Sequence, residues 1–178
     1  MNIDKAEARK KTNLPQDKKI AIYSGHLYDW KGVDTMAKTA IVMPDILFVF
    51  VGGSDQEREG FAKRVKLCDN ILIIGQRPHN EIPLYLKAAD VLILPNSCQS
   101  ANPRFADYSL FDTSPIKMFE YMASGRPIIA SDLPSLWEVL NKKNAIFVES
   151  DNSDDLARAI RKILALEFFK PFSVIFSS

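Results

Sequence analysis

Residues 114–132 read Ser114-Pro-Ile-Lys-Met-Phe-Glu-Tyr-Met-Ala-Ser-Gly-Arg-Pro-Ile-Ile-Ala-Ser-Asp132. Ser114 can cap a helix, and Pro115 suits the first helical position, where no backbone donor is needed. Ile116, Met118, Phe119, Tyr121 and Met122 make that helix apolar almost all round, which predicts burial. Glu120 sits in the middle of this surface, where a carboxylate needs a partner. Gly125 fits the left-handed residue that ends a helix, and Pro127-Ile-Ile-Ala130 resumes as a buried strand.

The same alternation runs outward in both directions. Residues 20–24, 46–51, 70–75, 91–95, 127–131 and 145–148 read as short apolar strands. Residues 4–12 (capped by Asp4), 33–43, 55–68, 81–89, 115–124, 135–140 (capped by Ser135) and 153–166 read as helices between them. Ile46-Leu-Phe-Val-Phe-Val51 has no polar face, as a parallel strand covered on both sides requires. The fold class is therefore α/β: a doubly wound, mainly parallel sheet with helices on both faces. Ligands of such sheets bind beyond the carboxyl ends of the strands, so chemistry is sought in the loops 24–32, 52–55, 75–79, 95–114 and 131–134.

The chain has 178 residues, a net charge of +1 and 47% apolar residues, enough for one self-sufficient core. Residues 1–166 form that domain; 167–178 are an atypical tail whose large apolar residues either pack on the domain or mark a surface that meets another one. Near-neutral charge gives no footprint for nucleic acid. No segment reads as a signal peptide or a bilayer span, so a soluble, cytoplasmic protein is expected. Cys68 and Cys98 read as free thiols, and no His/Cys/Asp spacing matches a metal site.

Four groups fall on the strand-end loops. Ser24-Gly-His-Leu-Tyr-Asp-Trp-Lys-Gly32 places Lys31 at a helix start, where it holds a phosphate or is simply solvated. Gly52-Gly53 permits close ligand approach or makes a plain turn. Asp112 and Glu120 flank a helix N-terminus with free amides at Ile116 and Lys117, an arrangement suited to sugar hydroxyls beside a phosphate. The structural alternative pairs Glu120 with a cation such as Arg126. Asp132 and Glu138 are explained as well by capping and solvation as by function. His79 reads as a loop residue. Neither a Gly-x-Gly-x-x-Gly fingerprint nor a Walker lysine is present, which argues against a dehydrogenase or a P-loop NTPase.

In their order and spacing these groups resemble the C-terminal half of a GT-B glycosyltransferase of the large retaining family called glycosyl transferases group 1. The resemblance runs from about Lys18 to Leu164 and rests on Tyr23-Ser-Gly-His-Leu-Tyr-Asp-Trp-Lys-Gly32, Val51-Gly-Gly53, Ile73-Ile-Gly-Gln76, Ala89-Asp-Val-Leu-Ile-Leu-Pro-Asn96 and the 114–132 stretch. It implies a Rossmann-like domain that binds a nucleoside-diphosphate sugar, with no other cofactor. Lys31 would bind the diphosphate. His26 stands where the family usually has an arginine, and is shorter and only partly charged. Glu120 would hold the ribose hydroxyls, and Asp112 would stand for the glutamate that faces the transferred sugar. Gly75, Gln76 and Arg77 would lie against the base. Ser114, Ile116 and Lys117 would offer amides to the diphosphate. The 99–111 loop, with Asn102, Arg104 and Asp107, has no assigned role. The resemblance also implies a missing N-terminal GT-B domain carrying the acceptor site, and an isolated half that is inactive alone. Peripheral membrane association of the full enzyme stays open. The competing readings are a flavodoxin-like ligand-binding or regulatory module and a fragment of a sugar-nucleotide epimerase.

Overall fold

Strands of uninterrupted apolar residues must be covered on both faces, and each face here has its own helices. The computed structural model describes residues 3–65, 68–99, 104, 107 and 116–165. Six strands, β1 (Lys19–Ser24), β2 (Ile46–Val51), β3 (Ile71–Ile74), β4 (Val91–Leu94), β5 (Ile128–Ser131) and β6 (Ile146–Val148), form one all-parallel sheet. Their spatial order is β3-β2-β1-β4-β5-β6, so the winding reverses between β1 and β4.

Alternate residues along each strand feed separate cores. Ile20, Ile22, Leu47, Val49, Leu92, Ile128 and Ala130 meet Ala8 of α1 (Lys5–Lys11), Leu86 of α4 (Ile82–Ala88), and Met118 and Tyr121 of α5 (Ile116–Ser124). Ala21, Tyr23, Phe48, Phe50, Ile93 and Ile129 meet Met36 of α2 (Val33–Ile41), Phe61 of α3 (Asp55–Arg64) and Ile160 of α7 (Ser153–Ala165). A single turn, α6 (Pro134–Trp137), follows β5.

The expected element order holds throughout the described residues, with local corrections. Val65 turns extended after α3, so the helix stops short of Cys68. Asp4 does cap α1, its Oδ1 accepting the Glu7 N–H at 2.8 Å. Ser135 does not cap α6; Leu133 occupies that position and Ser135 is buried within the turn. His79 lies in a 3₁₀ turn, His79–Glu81, rather than a plain loop. The helix α5 is not buried all round: Met118, Tyr121 and Ser124 face the core, while Ile116 and Phe119 stand 64% and 54% exposed. It lies over the strand ends, where only one of its faces has a sheet to cover. Ser114 and Pro115, most of the 99–111 loop and the 167–178 tail lie outside the described residues.

A polar lock ties α1 beneath the opposite end of the sheet. Buried Arg9 donates to the carbonyls of Ala88, Gln16 and Lys18 and to Asp90 Oδ2 at 2.7 Å. Asp90 also accepts from Lys5 Nζ and the Ile20 N–H. Burial alone would raise the Asp90 carboxyl, but Lys5, the Ile20 amide and Arg9 together hold it below the usual range. Removing one partner of such a cluster strands a buried charge. Asp90→Ala is expected to cost about 3 kcal/mol or more and to lower the melting temperature by roughly 6–12 °C, read by calorimetry. A melting point within about 2 °C of the parent would show that Arg9 is satisfied by its carbonyls alone.

Candidate active site

The strands β1 and β4 pair only at Ala21 with Val91 and Ile22 with Leu92, and then part. Tyr121 fills the gap. Its buried hydroxyl accepts the Ser24 N–H at 2.9 Å and donates to the Ile93 carbonyl at 3.4 Å. Beyond it the two loops meet again: Gly32, at φ +69°, sits so close to the Pro95 carbonyl that any Cβ would collide with it. The Ser97 N–H also donates to the Trp30 carbonyl at 3.1 Å.

Two cavities of about 260 and 290 Å³ open over this split. His26, Lys117 and Glu120 line both. Gln76, Arg77 and Glu57 line the first; Lys31, His79 and Ile116 line the second. The structure thus gathers seven of the site residues expected from sequence: His26, Lys31, Gln76, Arg77, Ile116, Lys117 and Glu120. Gly75 lies beside them, its open side facing the Arg58 guanidinium. Asp112 and Ser114 fall outside the described residues. Of the 99–111 loop, Arg104 and Asp107 are exposed.

Lys31 closes a 3₁₀ turn, Asp29–Lys31, with its ammonium 3.9 Å above the centre of the Trp30 ring. Burial pushes that ammonium down to about 8. Lys117 projects from the first turn of α5 across Gly25, whose backbone at φ +138° leaves no room for a side chain beneath it. Its Nζ donates to the Tyr23 hydroxyl at 3.2 Å and lies 4.3 Å from the ring centre. Burial, and then the charge of Lys31, push Lys117 down to about 7, while Glu120 pulls the other way.

Glu120 is 29% exposed, so it faces the cavities instead of needing an internal counter-charge. Its ion-pair partner among the described residues is His79, at 3.6 Å. The alternative pairing with Arg126 is not formed; Arg126 lies where Asp90, Arg9 and Asp4 act on it. His26 is committed elsewhere: its Nδ1 lies 3.0 Å from Glu57 Oε1, and its ring stacks on Tyr28 with centres 5.0 Å apart.

Glu57 was invisible as a site residue in the sequence. Ser54-x-x-Glu57 has the spacing of a capping box, and Ser54 does accept the Glu57 N–H at 3.2 Å. The Glu57 carboxylate, however, crosses to the β1 loop and accepts the Leu27 N–H at 2.9 Å. Burial would raise it, but Leu27 and His26 hold it below the usual carboxylate range. Among the described residues no group of His, Cys, Asp and Glu gathers to hold a metal ion.

The fold is a doubly wound α/β domain with cations and two carboxylates, Glu57 and Glu120, at its topological switch point, the place where ligands of such sheets bind. The profile of glycosyl transferases group 1 matches residues 4–171, and the chain belongs to that family. It is 27% identical over 168 residues to TuaC of Bacillus subtilis, which bears the name of a teichuronic acid biosynthesis glycosyltransferase. That match covers 94% of this chain and 38% of the relative. Sucrose-phosphate synthase from Thermosynechococcus elongatus superposes with a TM-score of 0.74 at 29% identity, over 91% of this chain and 40% of that one. Anabaena Alr3699/HepE, crystallised in complex with UDP-glucose, has the same fold at 18% identity and a TM-score of 0.70, over 92% of this chain and 43% of that one. The chain thus spans about two-fifths of these proteins. Among the described residues no helix is long and apolar enough to cross a membrane.

The two lowered lysines fix a pH dependence. In the unfolded chain they titrate near 10.5, so between about pH 7 and 10 the unfolded state binds more protons than the folded one. Stability of the ligand-free protein should therefore rise with pH across that window. Burial raises the phenols of Tyr23 and Tyr121, which reverses the trend above about pH 10. Urea unfolding between about pH 7 and pH 9.5 checks this: the parent should gain stability, and Lys117→Met should gain less. Equal slopes would mean that the Lys117 ammonium is not desolvated in the folded state.

Proposed function

We propose that this chain binds a nucleoside-diphosphate sugar as the donor half of a retaining glycosyltransferase. Family membership supports sugar transfer, and one observation carries the donor reading. Glu120, able to accept two vicinal hydroxyls, lines the same cavity as Lys31 and Lys117. A carboxylate at one end and cations at the other match a ribose followed by a diphosphate. HepE, with the same fold, holds UDP-glucose. Gln76 and Arg77 line the wall beyond Glu120, where the base would rest.

In the reaction the bond from the anomeric carbon to the diphosphate breaks, a bond from that carbon to an acceptor hydroxyl forms, the hydroxyl proton leaves with the diphosphate, and negative charge develops on the departing oxygens. Lys31 and the amides at Ser114, Ile116 and Lys117 stabilise that charge, which is a large term in such catalysis. On this reading Asp112 supplies the acid that the resemblance assigns to the transferred sugar. His79, 3.6 Å from Glu120, gives way to the ribose or shares it. The acceptor is held by an N-terminal domain that completes the cleft, so the chain alone binds donor and transfers nothing. This reading places the chain in the cytoplasm and assigns any contact of the whole enzyme with a membrane surface to the acceptor-binding half.

Calorimetric titration with UDP, GDP and ADP tests the donor site. At least one should bind, and Glu120→Ala should weaken it by about 10- to 100-fold, the worth of hydrogen bonds to a charged group. A folded parent that binds none of the three, or a variant that binds as tightly as the parent, would refute the reading.

A further inference from the structure

The position that the resemblance reserves for a phosphate-binding arginine holds the shorter His26, one of whose two ring nitrogens is already engaged. Its Nδ1 is bound by Glu57, its ring stacks on Tyr28, and its side chain is 64% exposed. Lys31 alone would leave a diphosphate with one side-chain cation from the β1 loop. A second cation comes from another direction. Lys117 reaches over Gly25 from α5 and lines both cavities.

The placement of that ammonium is built in several layers. Tyr23 donates its hydroxyl hydrogen to the His26 carbonyl at 2.7 Å, which leaves the oxygen lone pairs to receive Lys117 Nζ. The Tyr23 ring lies against the same ammonium. Gly25 supplies the space, since a Cβ there would meet Lys117 Nζ and Cε. Among the described residues no carboxylate lies within ion-pair distance of Lys117. A half-buried cation held by a neutral phenol, with another cation nearby, is a site that an anion completes.

We infer that the Lys117 side chain is the second cation of the diphosphate clamp, acting from helix α5 in place of an arginine on the β1 loop. This rests on the donor reading above and adds to it a role for the ammonium itself, beyond the backbone amide expected at this position. The groups that set its charge are Lys31 and Glu120, with Tyr23 beneath and His26, Glu57, His79 and Arg77 on the cavity walls. Burial and the charge of Lys31 lower Lys117 to about 7, burial lowers Lys31 to about 8, and a diphosphate beside them draws both back to the charged form. Binding above neutral pH therefore takes up protons.

The test titrates UDP, GDP and ADP, and their monophosphates, into the parent, Lys117→Met and Lys117→Arg at about pH 8, in two buffers of different ionisation enthalpy. The parent should bind a diphosphate with net proton uptake. Lys117→Met should lose at least about tenfold in diphosphate affinity and much less for the monophosphate. Lys117→Arg, which cannot lose its proton, should keep most of the affinity and take up fewer protons. Equal diphosphate affinity in the parent and Lys117→Met, or unchanged proton uptake in Lys117→Arg, would overturn the inference while leaving the donor reading intact. A parent that binds no nucleotide at all would instead overturn the donor reading, and this inference with it.

Discussion

The hydroxyl of Tyr121 stands where a strand would otherwise be. Past Ile22 the sheet splits, and the Ser24 N–H, buried at the end of β1, has lost its neighbour on β4. An amide left unpaired there would cost about 1–3 kcal/mol. Tyr121 satisfies it and reaches across to the Ile93 carbonyl on the other side. One phenol thus bridges both halves of the doubly wound sheet and seats α5 over the gap. Lys117 lies one turn before Tyr121 on the same helix face, so the ammonium falls above the split. Glu120, about 100° round the helix, turns toward the open cavity.

The site built on this bridge gains its character from what it withholds. Glu57 clamps the β1 loop to α3, and the ion-pair partner of Glu120 among the described residues is the exposed imidazole of His79. Burial lowers both lysines, and in Lys117 it outweighs the pull of Glu120. Such an arrangement disfavours the charged lysines and favours an anion beside them. This is the pattern expected where stability yields to binding. The aromatic side chains do the same in neutral form, holding Lys31 against Trp30 and Lys117 against Tyr23 without discharging either.

Much of the fold was legible from the chain. Continuous apolar runs such as Ile46–Val51 announce strands covered on both faces, and each was found in the expected order. Helix α5 departs from its sequence pattern in one respect. Its composition suggests burial all round, but it rests on the sheet by one face and leaves Ile116 and Phe119 in water. Composition cannot say how many neighbours a helix has. The positions of Lys31, Lys117 and Glu120 followed from the rule that ligands gather at strand ends. The roles of Glu57 and Tyr121 did not follow. A capping-box glutamate and a tyrosine in an apolar helix look ordinary until the tertiary fold brings them to Leu27 and Ser24, 30 and 97 residues away in sequence. Nor could local pattern reveal that His26 is bound by a residue 31 positions on.

The ammonium of Lys31, poised over the indole of Trp30, gives the domain an optical gauge of its own. Trp30 is nearly enclosed, whereas Trp137, the other tryptophan of the chain, stacks on Phe147 beside solvent with centres 3.9 Å apart. Any anion that draws the cation off the indole changes the field felt by one fluorophore and leaves the other as an internal reference. Occupancy is therefore written into the emission of the unlabelled protein.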